Sequence, residues 1–239
     1  MATLLLVSRP LLPILALCAL LLAACGSDGA EESPPEDEAA APAQTQTAST
    51  SDSGCKEIKT PRPRDDGGER KPTQNLDPAK TYEVKVDTSC GSFTIRLDQK
   101  KAPNVAASFA SLTRKGFYDG TVFHRIVPGF VIQGGDPTGT GSGGPGYSVV
   151  DEPPGDASYT RGVVAMAKTG DEPPGTAGSQ FYVVTGQDAG LPAEYALLGK
   201  VVKGMDVAMK IDSLGDPQSG GTGTPLQTVA IEKATLKER

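Results

Sequence analysis

Apolar and polar residues alternate with a period of two over several short stretches of the chain and recur with a helical period over two others. Tyr82-Glu83-Val84-Lys85-Val86 and Phe93-Thr94-Ile95-Arg96-Leu97 alternate and are joined through Thr88-Ser89-Cys90-Gly91, which predicts a hairpin. A helix follows from Pro103, a residue suited to a first helical position, with Val105, Phe109 and Leu112 at i, i+4 and i+7 and Gly116 as C-terminal cap. Val122, His124 and Ile126 then alternate with Phe123, Arg125 and Val127, a strand pattern that ends at the turn pair Pro128-Gly129. Phe130 to Gln133 is a second short strand, stopped by Gly134-Gly135. The stretch 137–146, dense in Gly, Thr and Ser, lacks the Gly-Lys-Ser/Thr ending of a phosphate cradle and reads as turn chemistry. Gly162 to Ala167, Gly178 to Val184 and Tyr195 to Val202 read as further strands, Gly204 to Leu214 as a second helix and Leu226 to Leu236 as a closing strand. The pattern predicts a mainly β domain of about eight strands and two helices.

Outside that pattern lies the first third of the chain. Residues 26–75 carry almost no periodicity; the acidic, proline-rich run from Glu31 to Glu38 and the Thr/Ser/Ala tract up to Ser53 have the composition of a disordered spacer. Ahead of it, Arg9 precedes an apolar stretch from Leu11 to Leu22 that is short for a membrane span and ends in small residues, as a cleavable signal does. Leu22-Ala23-Ala24-Cys25 resembles the lipobox of bacterial lipoprotein precursors, in which the cysteine receives a lipid and becomes the new N-terminus. A plain secretory signal is the alternative. The expected organisation is a lipoprotein signal peptide over 1–24, a lipidated Cys25 and linker over 25–76, and a folded domain over 77–239.

Composition narrows the function classes. The 239 residues carry a net charge of -6 and a pI near 4.9, which gives no basic footprint for nucleic acid or an anionic lipid surface. Of the four cysteines, Cys18 would leave with the signal and Cys25 would be acylated. Cys55 and Cys90 remain as a pair in an oxidising compartment, expected to form a disulfide between the end of the spacer and the first hairpin; two free thiols are the alternative.

The chemistry concentrates in Phe123-His124-Arg125-Ile126-Val127-Pro128-Gly129-Phe130-Val131-Ile132-Gln133-Gly134-Gly135-Asp136. An arginine inside a strand of apolar neighbours is unusual unless something pairs with it. This run resembles the signature of the cyclophilins, the cyclosporin-binding peptidyl-prolyl isomerases, and Gly162 to Ala167, Gly178 to Val184 and Tyr195 to Val202 are similar to strands of that family. The resemblance covers roughly Tyr82 to Leu236. It implies a closed eight-stranded antiparallel barrel with two capping helices, a closure that leaves no exposed edge.

By the same resemblance Arg125 is the catalytic donor and Gln133 holds its guanidinium in place. The proline socket falls on Phe130, Val131, Tyr182 and Leu191, with Tyr195 near the pocket. Ala167 and Lys168 fall where the substrate backbone pairs, and Gln180 near the peptide's entry. No metal or cofactor is implied, because rotation about an amide needs neither. His124 is the only histidine; strand alternation points it away from Arg125, and it reads as structural. The chain departs from the family at Val131, Lys168, Tyr182 and Tyr195, where Met, Asn, Phe and His are usual, and it has no Trp for the pocket rim, which implies weak cyclosporin binding. The expected function is isomerisation of X-Pro bonds in exported proteins by a monomer anchored outside the cytoplasm. The alternative is a non-catalytic module that binds proline-containing peptides.

Overall fold

The computed structural model describes residues 53–239, and the expected signal peptide and Cys25 lie outside them. Among these described residues, ten strands, two α-helices and one 3-10 turn follow one another: β1 (Tyr82–Thr88), β2 (Gly91–Leu97), α1 (Pro103–Arg114), β3 (Arg125–Val127), β4 (Val131–Gly134), β5 (Val149–Val150), β6 (Val163–Met166), β7 (Thr176–Ala177), β8 (Phe181–Val184), β9 (Leu197–Lys203), α2 (Met205–Asp212), the 3-10 turn Gly220–Thr222 and β10 (Ile231–Glu238). Eight strands make one sheet in the order β10-β1-β2-β9-β6-β8-β4-β3, and every pairing is antiparallel. The short pair β5 and β7 stands apart from it.

The sheet curls into a half-barrel and not into the continuous closed ladder expected from the resemblance. Its end strands β3 and β10 do not pair with each other. The chain ahead of β3 instead meets the chain ahead of β10 at a single bridge, Val122 to Ala230, supported by Phe123 N–H to Val229 O at 2.9 Å and Ile231 N–H to Thr121 O at 2.8 Å. The alternating run 122–127 is therefore split, because Val122 bridges to both Asp136 and Ala230 and only Arg125–Val127 continues as a ladder. The edges are covered by other means. Ile126 donates to Gly223 O at 2.7 Å, and Ala234 of β10 donates to the Asp119 carboxylate at 2.8 Å.

Side-chain alternation on β4, β6 and β8 gives two apolar layers. Ile132, Val164, Met166, Phe181 and Val183 enter the main core with α1 residues Val105, Phe109 and Leu112. Their neighbours Val131, Val163, Ala165, Tyr182 and Val184 belong to a second cluster on the opposite face. All four residues of β6 and all four of β8 are buried, because the sheet is covered on both sides here. The second cluster is the floor of the site.

Ahead of β1, part of the segment read as linker packs on the domain. Residues 53–76 lie along the domain as an ordered arm, with Arg64 N–H bonded to Pro137 O at 2.9 Å, Gly67 N–H to Gly144 O at 3.0 Å and Glu69 N–H to Pro145 O at 3.0 Å. Cys55 is disulfide-bonded to Cys90 in the β1–β2 turn, with their Cα atoms 4.2 Å apart, and Leu76 packs on the main core. A polar sequence without periodicity can still be ordered when its backbone finds partners on a preformed surface.

Candidate active site

Arg125 and Gln133 face each other across the β3–β4 ladder, joined by a tight turn at Pro128-Gly129. Gly129 takes φ +70° and Phe130 N–H closes the turn on Val127 O at 3.0 Å, a conformation that Pro followed by Gly adopts without strain. The turn is fixed from outside by Asp212 at the end of α2, whose carboxylate accepts the Gly129 N–H at 3.0 and 3.1 Å and the Thr185 hydroxyl at 2.6 Å. Phe130 is thereby held beside the arginine.

The guanidinium is oriented by three groups. Nη1 donates to Gln133 Oε1 at 3.4 Å, Nε donates to Gly221 O at 3.1 Å, and the carbon centre lies 5.8 Å from the Phe130 ring centroid. Partial burial pulls the Arg125 pKa below its usual value, opposed by the nearby Tyr195; the charge itself persists at neutral pH. Gln133 is held in turn, because its amide donates to Gln180 Oε1 at 3.1 Å. The Gln180 amide donates onward to Gly141 O and Gly143 O, each at 2.9 Å. The chain Arg125-Gln133-Gln180-Gly141/Gly143 thus links the cation to the loop after β4.

That loop is folded around Asp136, which is fully buried. Its carboxylate accepts Thr138 N–H at 2.7 Å, the Thr138 hydroxyl at 2.9 Å and Gly141 N–H at 2.6 Å. Burial works to raise its pKa, but the bonds from Thr138, Gly143 and Gly141 outweigh burial and bring it below the usual carboxylate value.

Phe130, Val131, Tyr182 and Leu191 lie together in the second cluster, with Ala167 and Tyr195. Tyr159 completes it and carries no periodic signal in the sequence. The Tyr159 hydroxyl donates to Tyr195 O at 2.7 Å and accepts from Tyr195 N–H at 3.0 Å. Its ring lies 6.5 Å from Tyr182 and 5.9 Å from Tyr195, and the last two are 5.7 Å apart and nearly perpendicular. Burial raises the Tyr182 pKa well above its usual value, and its hydroxyl is buried without a partner. Gly190 stands at the rim with open space where a side chain would project.

Ala167 N–H is already bonded to Gln180 O at 2.9 Å, so its carbonyl is the group left to meet a peptide. The Lys168 side chain, only 3% exposed, does not reach into the groove as a free cation. It folds onto Glu194 at 3.1 Å and the carbonyls of Glu172 at 3.1 Å and Thr169 at 3.3 Å, 5.6 Å from the Tyr195 ring centroid. Its side chain pins the 168–175 loop to the rim. His124 has no hydrogen-bond partner on either ring nitrogen and lies beside Gly141, behind the groove wall. Sequence reasoning did not find Asp212, Tyr159 or the Gly221 carbonyl, since each acts through a contact distant in the chain.

The site sets an oriented guanidinium beside a cluster of aromatic and aliphatic side chains. Residues 83–236 match the family model described as "Cyclophilin type peptidyl-prolyl cis-trans isomerase/CLD". The chain belongs to this cyclophilin family. It is 39% identical over 153 residues to a peptidyl-prolyl cis-trans isomerase of Arabidopsis thaliana, covering 62% of this chain and 90% of the plant protein. It is 40% identical over 158 residues to a peptidyl-prolyl cis-trans isomerase-like 1 of Neurospora crassa, covering 64% and 93%. A cyclophilin-type isomerase from Cryptosporidium parvum superposes with a TM-score of 0.59 at 30% identity, covering 66% of this chain and 98% of that one. The same parasite enzyme crystallised in the presence of the dipeptide Ala-Pro gives a TM-score of 0.58 at 31% identity, covering 65% and 98%.

Proposed function

We propose that the protein is a peptidyl-prolyl cis-trans isomerase in which Arg125 stabilises the twisted amide. Uncatalysed X-Pro rotation takes tens to hundreds of seconds because it breaks amide resonance. Bringing it to milliseconds requires about five decades, or roughly 7 kcal/mol. Rotation removes the nitrogen lone pair from conjugation and makes it a hydrogen-bond acceptor, so a fixed cationic donor binds the twisted form better than either planar one. Proline seated on Phe130, Val131, Tyr182 and Leu191 would be held while the preceding residue turns, with the Ala167 carbonyl holding the backbone. No proton is transferred. The observation that carries this reading is the Arg125 guanidinium, oriented by Gln133, Gly221 and Phe130 at the edge of that socket.

The clients proposed are exported proteins, with the chain tethered outside the cytoplasm through a lipid on Cys25; the signal-like residues 1–25 support this. Metabolic labelling with a palmitate analogue, compared between wild type and Cys25→Ala, checks the tether. The activity test is turnover of an Ala-Pro peptide by the purified protein. Arg125→Ala should lower kcat/KM by about 10²–10³-fold, the usual cost of one transition-state donor. Wild-type rates equal to the uncatalysed rate would leave only the peptide-binding module that Val131 and the absent tryptophan allow.

A further inference from the structure

The groove does not end at Gln133 and Gln180. It continues as a space of about 580 Å³ lined by Gly141 to Ser148, Ala167, Lys168, Glu172 and, from the arm, Asp66. The arm is built into this wall. Asp66 Oδ1 accepts Gly144 N–H at 2.7 Å, next to the backbone bonds that Gly67 and Glu69 make to Gly144 O and Pro145 O of the same loop. Gly67 and Gly146 approach back to back at φ +78° and +85°, and a Cβ on Gly146 would lie 2.9 Å from Gly67 Cα, so the contact admits no side chain there. Arg64 lies 5.5 Å over the Phe117 ring and donates to Phe117 O, Glu69 pairs with Lys115 at 2.6 Å, and Lys71 donates to Ser148 O at 3.2 Å. With the disulfide at one end and Leu76 on the core at the other, the segment holds its side chains in defined positions.

The carboxylates Asp66, Glu172 and Glu194 outnumber the ammonium groups Lys168 and Lys71 around this part of the groove, with Lys71 on the Ser148 carbonyl. Lys168 is neutralised by Glu194 and shielded by its own burial. Glu172 Oε2 accepts Thr169 N–H at 2.7 Å and the Thr169 hydroxyl at 3.1 Å, with no cation paired to it among the ion pairs of the described residues. Asp66 is exposed and uses one oxygen on Gly144. We infer that Asp66 is a specificity residue: the arm makes the groove favour substrates that carry a lysine or arginine a few residues from the proline. The inference rests on the isomerase reading above.

The test uses the full chain and Pro peptides that differ only in carrying Lys, Ala or Glu at one position within three residues of the X-Pro bond. Exchange spectroscopy reads the rates, since a coupling protease brings its own charge preference. At one or two positions the wild type should turn over the Lys peptide about two- to fivefold faster in kcat/KM than the Glu peptide, the span given by an exposed ion pair. The ratio should shrink in high salt. Asp66→Asn, which keeps an acceptor for Gly144 N–H, should bring the ratio close to one. Asp206→Asn, the same change in net charge on α2, should leave it in place. An unchanged ratio in Asp66→Asn, or no preference at any position in a wild type that turns over the Ala peptide, overturns the inference. No turnover of the Ala peptide overturns the isomerase reading and this inference with it.

Discussion

Tyr182 lies 4% exposed in the socket with a hydroxyl that has no hydrogen-bond partner. An unsatisfied buried hydroxyl costs about 1–3 kcal/mol, so Tyr182→Phe should raise stability by about 1 kcal/mol in urea denaturation, allowing for lost packing of the oxygen. A midpoint below that of the wild type would show that the oxygen is satisfied in solution. His124 is a second buried polar residue, and burial lowers its pKa, with Arg125 adding to the effect and Asp136 and the neighbouring Gln180 side chain opposing it. Its folded value lies below that of the unfolded chain, so the unfolded chain binds the extra proton. The stability that neutral His124 permits is full above about pH 6.5 and is lost as pH falls from there through the folded value. Urea midpoints should therefore fall as pH drops below about 6.5 in the wild type, and His124→Gln should remove that step. With one histidine in the chain, no other imidazole contributes.

At the scale of elements, the loop after β4 is decided by one buried carboxylate rather than by its glycines. Gly143 has no room for a side chain because a Cβ would lie 2.3 Å from Asp136 Oδ1. Asp136→Asn removes the charge and one acceptor while leaving the loop's donors in place. It should cost about 2–3 kcal/mol, in the range of hydrogen bonds to a charged group, and should also lower isomerase activity because Gln180 is held by Gly141 and Gly143. Equal stability of variant and wild type by chemical denaturation would contradict this. Elements with strong local patterns were legible in the sequence: β1, β2 and α1 fall where alternation and the 3.6 period put them. The run 122–127 was read as one strand and is not, since alternation describes which face a residue takes and not which neighbour it pairs with. The pair β5 and β7 was missed because two-residue strands are too short to show a period.

At the scale of the whole molecule, the arm makes the folded unit larger than the barrel-like sheet. The disulfide closes a separation of 35 residues, and the chain-entropy model assigns a loop of that size about 2–4 kcal/mol. The Cys55→Ser/Cys90→Ser variant should lose roughly that much stability in urea, with no change for a variant already reduced. An unchanged midpoint would mean that the arm is held by its backbone contacts alone. The family was readable from the sequence, because a long motif of mixed residue types fixes chemistry and spacing together. The continuous apolar runs of β6 and β8, unlike the alternation of β1 and β2, accompany burial on both faces. Only the tertiary structure decided where the guanidinium is aimed, because Gly221 reaches it from a segment distant in the chain and the supports Asp212 and Tyr159 carry no local pattern. It also decided that a polar arm becomes a wall of the groove: hydrophobic periodicity reports burial of side chains, whereas this arm is held by backbone hydrogen bonds, two facing glycines and one disulfide.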